Sequence, residues 1–347
     1  MGDIEAVLSH AKKNKLRILR GSDPKLIVKR IPFDIPQLDT VLGGGLPLGR
    51  MTLVVGNFGA GKTFFAQMAM KLFQQHNLLA AYVDTERRFD RDWWIKSGVN
   101  VDNLLVGLPH SGENAIDMCT DLIKDRVGLV VLDSIAALVP MAELEGSAED
   151  STIASQARLL NKGLRKITDL NIAGEEASDK YEGSAFLALN QMRSGMGPYS
   201  TYALPGGKGQ QYFSSILLRV QKGPWILEGK DKVGFDMKFT TDKNNLTEWP
   251  LECALPFKFT GVIDTVGGLL ELAIDVGVIL QKGAYYYLPE GLGTGKGFQG
   301  KQALIELLKT DGDLFEKIKA AVYASNNPAD RVSLGTTPNI GEPPVPF

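Results

Sequence analysis

The sequence predicts an α/β chain: a mostly parallel, twisted sheet with helices on both faces and an antiparallel extension. A short helix precedes this core and a small α+β domain follows it. Three observations carry the reading. Short apolar runs without two-residue alternation recur between helical patterns, as strands covered on both faces do. A Gly-rich stretch, GNFGAGKT (56–63), stands between one such run and a helical pattern, the context in which a phosphate-binding loop forms. After Ser214 the apolar runs follow one another with no helix between them, which marks antiparallel neighbours.

The elements follow in order. A helix is expected over about Ile4 to Lys13. The connector KKNKLRILRGSDPKLIVKR (12–30) carries eight basic residues and one acidic residue, and reads either as a solvated arm or as a contact surface. The first buried strand is MTLVVG (51–56). AAYVD (80–84), NLLVG (103–107), GLVVLD (128–133) and FLALN (186–190) are further strands, separated by helices near 63–75, 112–124 and 153–170. ILLRV, VGFDMKFTT and ECALPFKFT extend the same sheet as antiparallel strands. NIAGEEASDKYEG (171–183) reads as an acidic surface insertion. From about Asp264 the texture changes. VGGLLELAIDVGVI is helical, AYYYLP is a short strand, and KQALIELLKTDGDLFEKIKAAVYAS forms two helices. The tail TTPNIGEPPVPF is too rich in proline to pack a core. The expected division is 1–31 for the N-terminal helix and linker, 32–263 for the core, 264–330 for the small domain and 331–347 for a flexible tail. There is no internal repeat.

Composition excludes several function classes. With 347 residues, 44% hydrophobic and 22% charged, the chain has ordinary globular values, and its length suggests two domains or one large domain plus a small one,. Its two cysteines, Cys119 and Cys253, lie far apart without metal-type partners, which argues for a reducing compartment. No signal peptide and no apolar run of about 18 residues is present. A soluble, cytoplasmic protein with no membrane partner is expected. A net charge of −2 weighs against a general cationic coat for nucleic acid.

The chemistry concentrates around the Gly-rich stretch. Gly56, Asn57, Phe58, Gly59, Ala60, Gly61, Lys62, Thr63 and Phe64 form a loop whose backbone N–H groups converge on phosphate oxygens. Lys62 is placed for the β- and γ-phosphates of ATP, and the Thr63 hydroxyl for Mg²⁺. Asp133 closes an apolar strand, where an acid holds the metal's water shell. Asp84 and Glu86 fall on one side by the two-residue period, and Glu86, beyond the strand tip, is the candidate general base. Asn190 and Gln191 end another strand, and an amide there can sense the γ-phosphate. They also open NQMRSGMGPYSTYALPGGKG (190–209), twenty residues with five Gly and two Tyr between two buried strands. A loop of that length is usually functional.

Several stretches, in this order and spacing, closely resemble the RecA family of homologous-recombination ATPases. They are GGGLPLGRMTLVVGNFGAGKT, DTERRFDRDWWIKSGVNVDNLL, VVLDSIAALVPMAELEG, ARLLNKGLRKI and NQMR. The resemblance runs from about Pro32 to Tyr323. It implies a DNA-dependent ATPase that forms a helical filament on single-stranded DNA, holds ATP and Mg²⁺ between subunits, and pairs the strand with homologous double-stranded DNA. Departures in the later strands and the tail point to a phage-encoded or otherwise diverged recombinase. By this resemblance Glu86 falls on the catalytic glutamate and Gln191 on the nucleotide-sensing glutamine. Asp90 and Trp93 fall where the family contacts adenine. Lys243 is the nearest candidate for a lysine that reaches the γ-phosphate across the subunit interface, and Tyr212 matches an aromatic that couples loop to interface.

MAELEGSAEDS (141–151) falls on the family's first DNA-binding loop, with Ser151 and Ile153 at its end, and 190–209 falls on the second. Implied DNA contacts are Arg158, Asn161 and Arg165 on the following helix, with Arg193, Ser194, Met196, Gly197, Gly206, Gly207 and Lys208 in the second loop. Arg158, Lys162 and Arg165 share one stripe by their four- and three-residue spacing, beside an apolar stripe of Leu160, Leu164 and Ile167. Tyr199 and Tyr202 are candidates for base stacking or subunit contact, and Lys282, Lys296 and Lys301 for guiding duplex. A single-strand-binding protein or loading mediator is an expected further partner. The competing readings are a ring helicase on the same core, and a non-hydrolysing protein that coats single-stranded DNA.

Overall fold

The computed structural model describes residues 3–14, 16–145, 153–177, 181–193, 203–247, 251–289, 291–292 and 297–325. Helix α1 (Ile4–Lys13) starts where the Asp3 carboxylate accepts the Glu5 N–H, an ordinary N-cap. Short β1 (Arg30–Ile31), α2 (Pro36–Leu42) and β2 (Leu46–Pro47) come next, with β1 and β2 paired antiparallel. These elements begin where the basic connector ends and lie at the start of the expected core, in a stretch to which the sequence reading assigns no helix or strand. Their apolar residues are few, and they are fixed by packing Ile31, Leu38, Leu42 and Leu46 into the main core.

The core then runs β3 (Met51–Gly56), α3 (Lys62–Gln75), β4 (Ala80–Asp84), α4 (Arg91–Lys96), β5 (Leu104–Gly107), α5 (Gly112–Lys124) and β6 (Leu129–Asp133). It continues through α6 (Met141–Glu145), α7 (Ile153–Ala177), β7 (Ala185–Gln191), α8 (Gly209–Phe213), β8 (Ile216–Glu228), β9 (Asp231–Asn244), β10 (Glu252–Lys258) and β11 (Val262–Ile263). Helix α7 extends seven residues past Leu170, so the first part of the expected surface insertion is helical. Asn171 is buried there and holds Ser184 at the start of β7 through its amide.

One nine-stranded sheet orders these strands β11-β10-β9-β8-β3-β7-β6-β4-β5. Strands β8, β3, β7, β6, β4 and β5 are parallel, and β9, β10 and β11 continue antiparallel from β8. Every residue of β3 is buried, yet successive residues feed different cores. Val54 joins Phe65, Phe73, Tyr82, Trp94 and Phe239 on one face. Leu53 and Val55 join Cys119, Leu160, Leu164 and Phe186 on the other. A strand buried on both faces cannot show alternation in its sequence.

The C-terminal part contains α9 (Thr265–Asp275), the small antiparallel sheet β12 (Leu280–Lys282), β13 (Tyr285–Tyr287) and β14 (Phe298–Gln299), α10 (Lys301–Thr310) and α11 (Gly312–Ser325). These elements build a separate apolar cluster around Leu270, Ala273, Leu304, Leu308 and Ile318. A polar contact ties them to the core: the Tyr323 hydroxyl donates to Asp39 Oδ2 at 2.6 Å, and the Phe33 N–H donates to Asp39 Oδ1 at 2.6 Å. Burial pushes the Asp39 carboxyl up to about 6, against these two donors. Among the described residues, no helix is long and apolar enough to cross a membrane.

Candidate nucleotide site and nucleic-acid interface

Parallel register gathers the chemistry at one edge of the sheet. Gly56 on β3 pairs with Gln191 on β7, and Asp133 on β6 pairs with Asp84 on β4. The loop after β3 therefore faces the tips of three neighbouring strands, where ligands collect in open α/β sheets. In the loop, Asn57, Phe58 and Gly59 are exposed and Ala60 and Phe64 are buried. The Lys62 ammonium donates to the carbonyls of Gly56 and Asn57 at 2.9 and 3.0 Å. Burial lowers its proton affinity, while Asp133 and Glu86 oppose the shift.

The Thr63 hydroxyl and the Tyr82 hydroxyl both donate to Asp133 Oδ2, at 2.8 and 2.9 Å. Burial raises the Asp133 carboxyl, and those two hydroxyls pull it back. A hydroxyl facing a carboxylate beside a phosphate loop is a hard-oxygen donor set. It suits Mg²⁺, which takes one or two protein oxygens and fills its remaining positions with water and phosphate. Among the described residues there is no cluster of three or more His, Cys, Asp or Glu side chains that could hold a metal ion.

The alternation expected for Asp84 and Glu86 stops at Asp84, where β4 ends. Asp84 is buried and accepts the N–H groups of Glu86, Arg88 and Phe89 at 3.1, 2.8 and 2.8 Å. It shapes the turn, and Glu86 rides on that turn. Glu86 Oε1 accepts the Ser134 hydroxyl at 2.6 Å and the Gln191 amide at 3.2 Å. Glu86 Oε2 lies 2.9 Å from the Arg88 guanidinium. Thr85 locks the tips of β4 and β6 together by donating to the Asp133 and Ser134 carbonyls. Ser134, Thr85 and Tyr82 have no role in the sequence reading, because their partners come from the neighbouring strand tip; Arg88 has none because its pairing with Glu86 depends on the shape of the turn.

Other expected residues fall further out. Asp90 caps α4, accepting the Trp93 N–H at 2.8 Å, and Trp93 is half-buried beside the wholly buried Trp94. Lys243 is turned onto its own chain. Its ammonium donates to the carbonyls of Gln211, Tyr212 and Ser214 at 2.8, 3.4 and 2.6 Å. It thus anchors β9 to the end of α8, because those terminal carbonyls have no helical partners. Neighbouring Asp242 pairs with Arg219 at 2.7 Å. Tyr212 is 78% exposed.

The described ends of the segment 190–209 are tied into the fold. Arg193 and Ala203 exchange backbone hydrogen bonds at 3.0 Å and close its base. Asn190, read from the sequence as a possible phosphate sensor together with Gln191, is fully buried. Its amide donates to the Pro205 carbonyl and to Gln210 Oε1, at 2.9 and 2.7 Å. Gln210 in turn donates to the carbonyls of Pro205 and Gly207. Gly206 and Gly207 take φ of 84° and 79°, a turn that side chains with a Cβ disfavour. Gly206 packs on Leu160 of α7, and an added Cβ at Gly209 would lie 1.5 Å from Asn161 Oδ1.

On α7, Leu160, Leu164 and Ile167 are buried while Arg158, Asn161, Lys162 and Arg165 are exposed. Arg193, Gly207 and Lys208 are also exposed. Ser151, Ser194, Met196 and Gly197 lie outside the described residues, as do Pro198, Tyr199, Tyr202, Lys296, the tail and the side chain of Ile153. Of the C-terminal lysines, Lys282 is exposed near the Tyr287 ring and Lys301 pairs with Glu271.

Comparison with known proteins places this arrangement. Residues 4–261 match the family model described as the RecA N-terminal domain. The protein RecA of Acidothermus cellulolyticus is 32% identical, over 96% of this chain and 92% of its own length. That of Mesomycoplasma hyopneumoniae is 33% identical, over 91% and 92%. That of Chlorobaculum tepidum is 36% identical, over 82% and 80%.

Proposed function

This chain belongs to the RecA family, and from that premise we propose how its own residues carry out ATP-dependent homologous recombination and strand exchange. The observation that carries the reading is the row of groups across adjacent strand tips. The phosphate loop, the Thr63–Asp133 pair, Glu86 and Gln191 stand side by side, and Gln191 directly follows the residue that pins the base of the 190–209 segment.

ATP is the substrate. Lys62 and the loop N–H groups bind its phosphates, while Thr63 and Asp133 would hold Mg²⁺, which when bound would supply charge neutralisation at the phosphoryl group. Glu86, fixed by Ser134, orients the attacking water and takes its proton. Gln191 contacts Glu86 at one end of β7, so a change at the phosphate reaches the root of the DNA-binding segment over one residue. Asp90 and Trp93 flank the base of the nucleotide. Arg158, Asn161, Arg165, Arg193, Gly206, Gly207 and Lys208 form the described part of the strand-binding surface. It grips phosphates and backbone without reading sequence.

In this reading residues 1–31 pack on a neighbouring subunit, 32–263 form the ATPase core and 264–330 meet duplex DNA. The active form is a helical filament with ATP at each subunit interface. Lys243 reaches a neighbour's nucleotide only after releasing the α8 carbonyls.

The test is ATP hydrolysis with and without single-stranded DNA, paired with electron microscopy on DNA and a slowly hydrolysed ATP analogue. DNA-stimulated turnover and open helical filaments are expected. Closed rings that separate strands, or DNA coating without turnover, would overturn the reading.

A further inference from the structure

We propose that Arg88 is a second cation of the nucleotide site, supplied by the same subunit, which moves from Glu86 to the terminal phosphate of ATP when the substrate binds. The inference rests on the nucleotide site proposed above and adds a residue to it.

Four observations converge on Arg88. Its backbone is fixed, because its N–H donates at 2.8 Å to the buried Asp84 carboxylate, which also holds Glu86 and Phe89. Its guanidinium lies 2.9 Å from Glu86 Oε2 and yet is 61% exposed. The same guanidinium sits 5.9 Å from the ring centre of Phe58. Phe58 belongs to the phosphate loop and is itself 82% exposed. Finally, its charge is felt at Lys62, behind burial and the two nearby carboxylates. Arg88 therefore stands between the phosphate loop and the candidate general base.

Its neighbour shows that this placement is not shared. Arg87 has φ of 56° and donates to the carbonyls of Leu108 and Pro109, so its guanidinium is committed to the fold. Lys243 is committed likewise. Arg88 makes an ion pair that a stronger anion can replace. A carboxylate offers one negative charge, whereas a terminal phosphate offers about two and presents oxygens matched to the guanidinium fork.

The exchange does two things at once. While Arg88 sits on Glu86, both oxygens of that carboxylate are engaged, one by Ser134 and Gln191 and the other by Arg88. Once Arg88 leaves, Oε2 is free to accept a proton. In the hydrolysis step the water oxygen bonds to the γ-phosphorus as the bond from that phosphorus to the bridging oxygen breaks. ADP departs with the electron pair, the water proton passes to Glu86, and Arg88 faces the charge that builds on the transferring group.

The test compares wild type, Arg88→Ala and Arg88→Lys. Equilibrium affinity is measured for fluorescent ADP and for a fluorescent, slowly hydrolysed ATP analogue, beside DNA-stimulated turnover. In Arg88→Ala the ATP analogue should bind about tenfold more weakly and ADP within about twofold of wild type. Turnover should fall by at least about a hundredfold. Arg88→Lys should restore most of the affinity and less of the turnover, because a lysine is a point charge without the fork. Equal losses for both nucleotides, unchanged discrimination between them, or faster turnover in Arg88→Ala would each overturn the proposal. Thermal unfolding shows whether Arg88→Ala is folded, and if it is not, Arg88→Gln and Arg88→Lys carry the same comparison. A wild type without DNA-stimulated turnover would instead defeat the proposed function, while the ATP-against-ADP measurement would still judge Arg88.

Discussion

The phosphate end of the sheet and the base of the 190–209 segment are held in place by different means. At the phosphate end, parallel register sets Gly56 beside Gln191 and Asp84 beside Asp133, and backbone ladders fix the strand tips from which the loop, the first turn of α3 and the Glu86 turn project. At the segment base, a single backbone bridge between Arg193 and Ala203 is joined by one buried amide network: Asn190, Gln210 and the carbonyls of Pro205 and Gly207. The first arrangement is rigid because many backbone bonds must break together. The second can open by losing a few side-chain bonds and one two-bond backbone bridge, which is what a responsive element requires. The two meet at consecutive residues. Alternation along β7 sends Asn190 into the segment base and Gln191 to Glu86.

The largest expected effect strikes the rigid end. Lys62→Ala should abolish measurable ATP binding and nucleotide-dependent assembly on DNA, read by nucleotide titration and microscopy. Assembly that survived would mean the phosphate loop does not drive it. Glu86→Gln should lower turnover by about 10² to 10⁴-fold and keep nucleotide-dependent DNA binding. Unchanged hydrolysis would remove Glu86 from the base role.

Next come the two neighbours that join the regions. Gln191→Ala should leave ATP affinity nearly intact and make DNA affinity the same with and without nucleotide, separating the two ends. Asn190→Ala leaves the buried Gln210 Oε1 without its donor. It should cost about 1–3 kcal/mol of stability and weaken DNA binding while ATP affinity holds. If the two substitutions behaved alike, the division between the neighbours would be wrong.

The smallest effect lies away from both regions. Asp39 holds its proton up to about 6 in the folded chain, above an ordinary aspartate near 4. The folded state therefore binds the extra proton between about pH 4 and 6, and stability falls as pH rises through that window. Asp39→Asn should flatten this dependence in pH-resolved unfolding and leave ATP and DNA binding unchanged.

Much of the fold was legible because long apolar runs and phosphate-loop chemistry are local signals. The first helix, the parallel strands and the helices near 63–75 and 112–124 follow from patterns of a few residues each. Thr63, Asp133, Glu86 and Gln191 were legible as candidates because each closes or follows a strand. The short elements between 30 and 47 were not, since two-residue strands carry no periodicity. Nor were the duties of Asp84, Asn190 and Lys243. A carboxylate, an amide and an ammonium read the same in sequence whether they await a ligand or satisfy the fold.

What the sequence determined by itself is the class of sheet, the place of the Gly-rich loop between β3 and α3 and the order of the strands around it, because hydrophobic patterning and glycine placement act within one segment. Only the tertiary structure decided which polar groups are spent inside the molecule and which face the cleft. Asp84 is consumed by backbone N–H groups of the turn that follows it, and Asn190 by the Pro205 carbonyl and the Gln210 amide across the segment base. Arg88 is left at the edge of the site. Partners separated by tens of residues meet only after the sheet has set its register, and a buried polar group must then bond with whatever that register brings near.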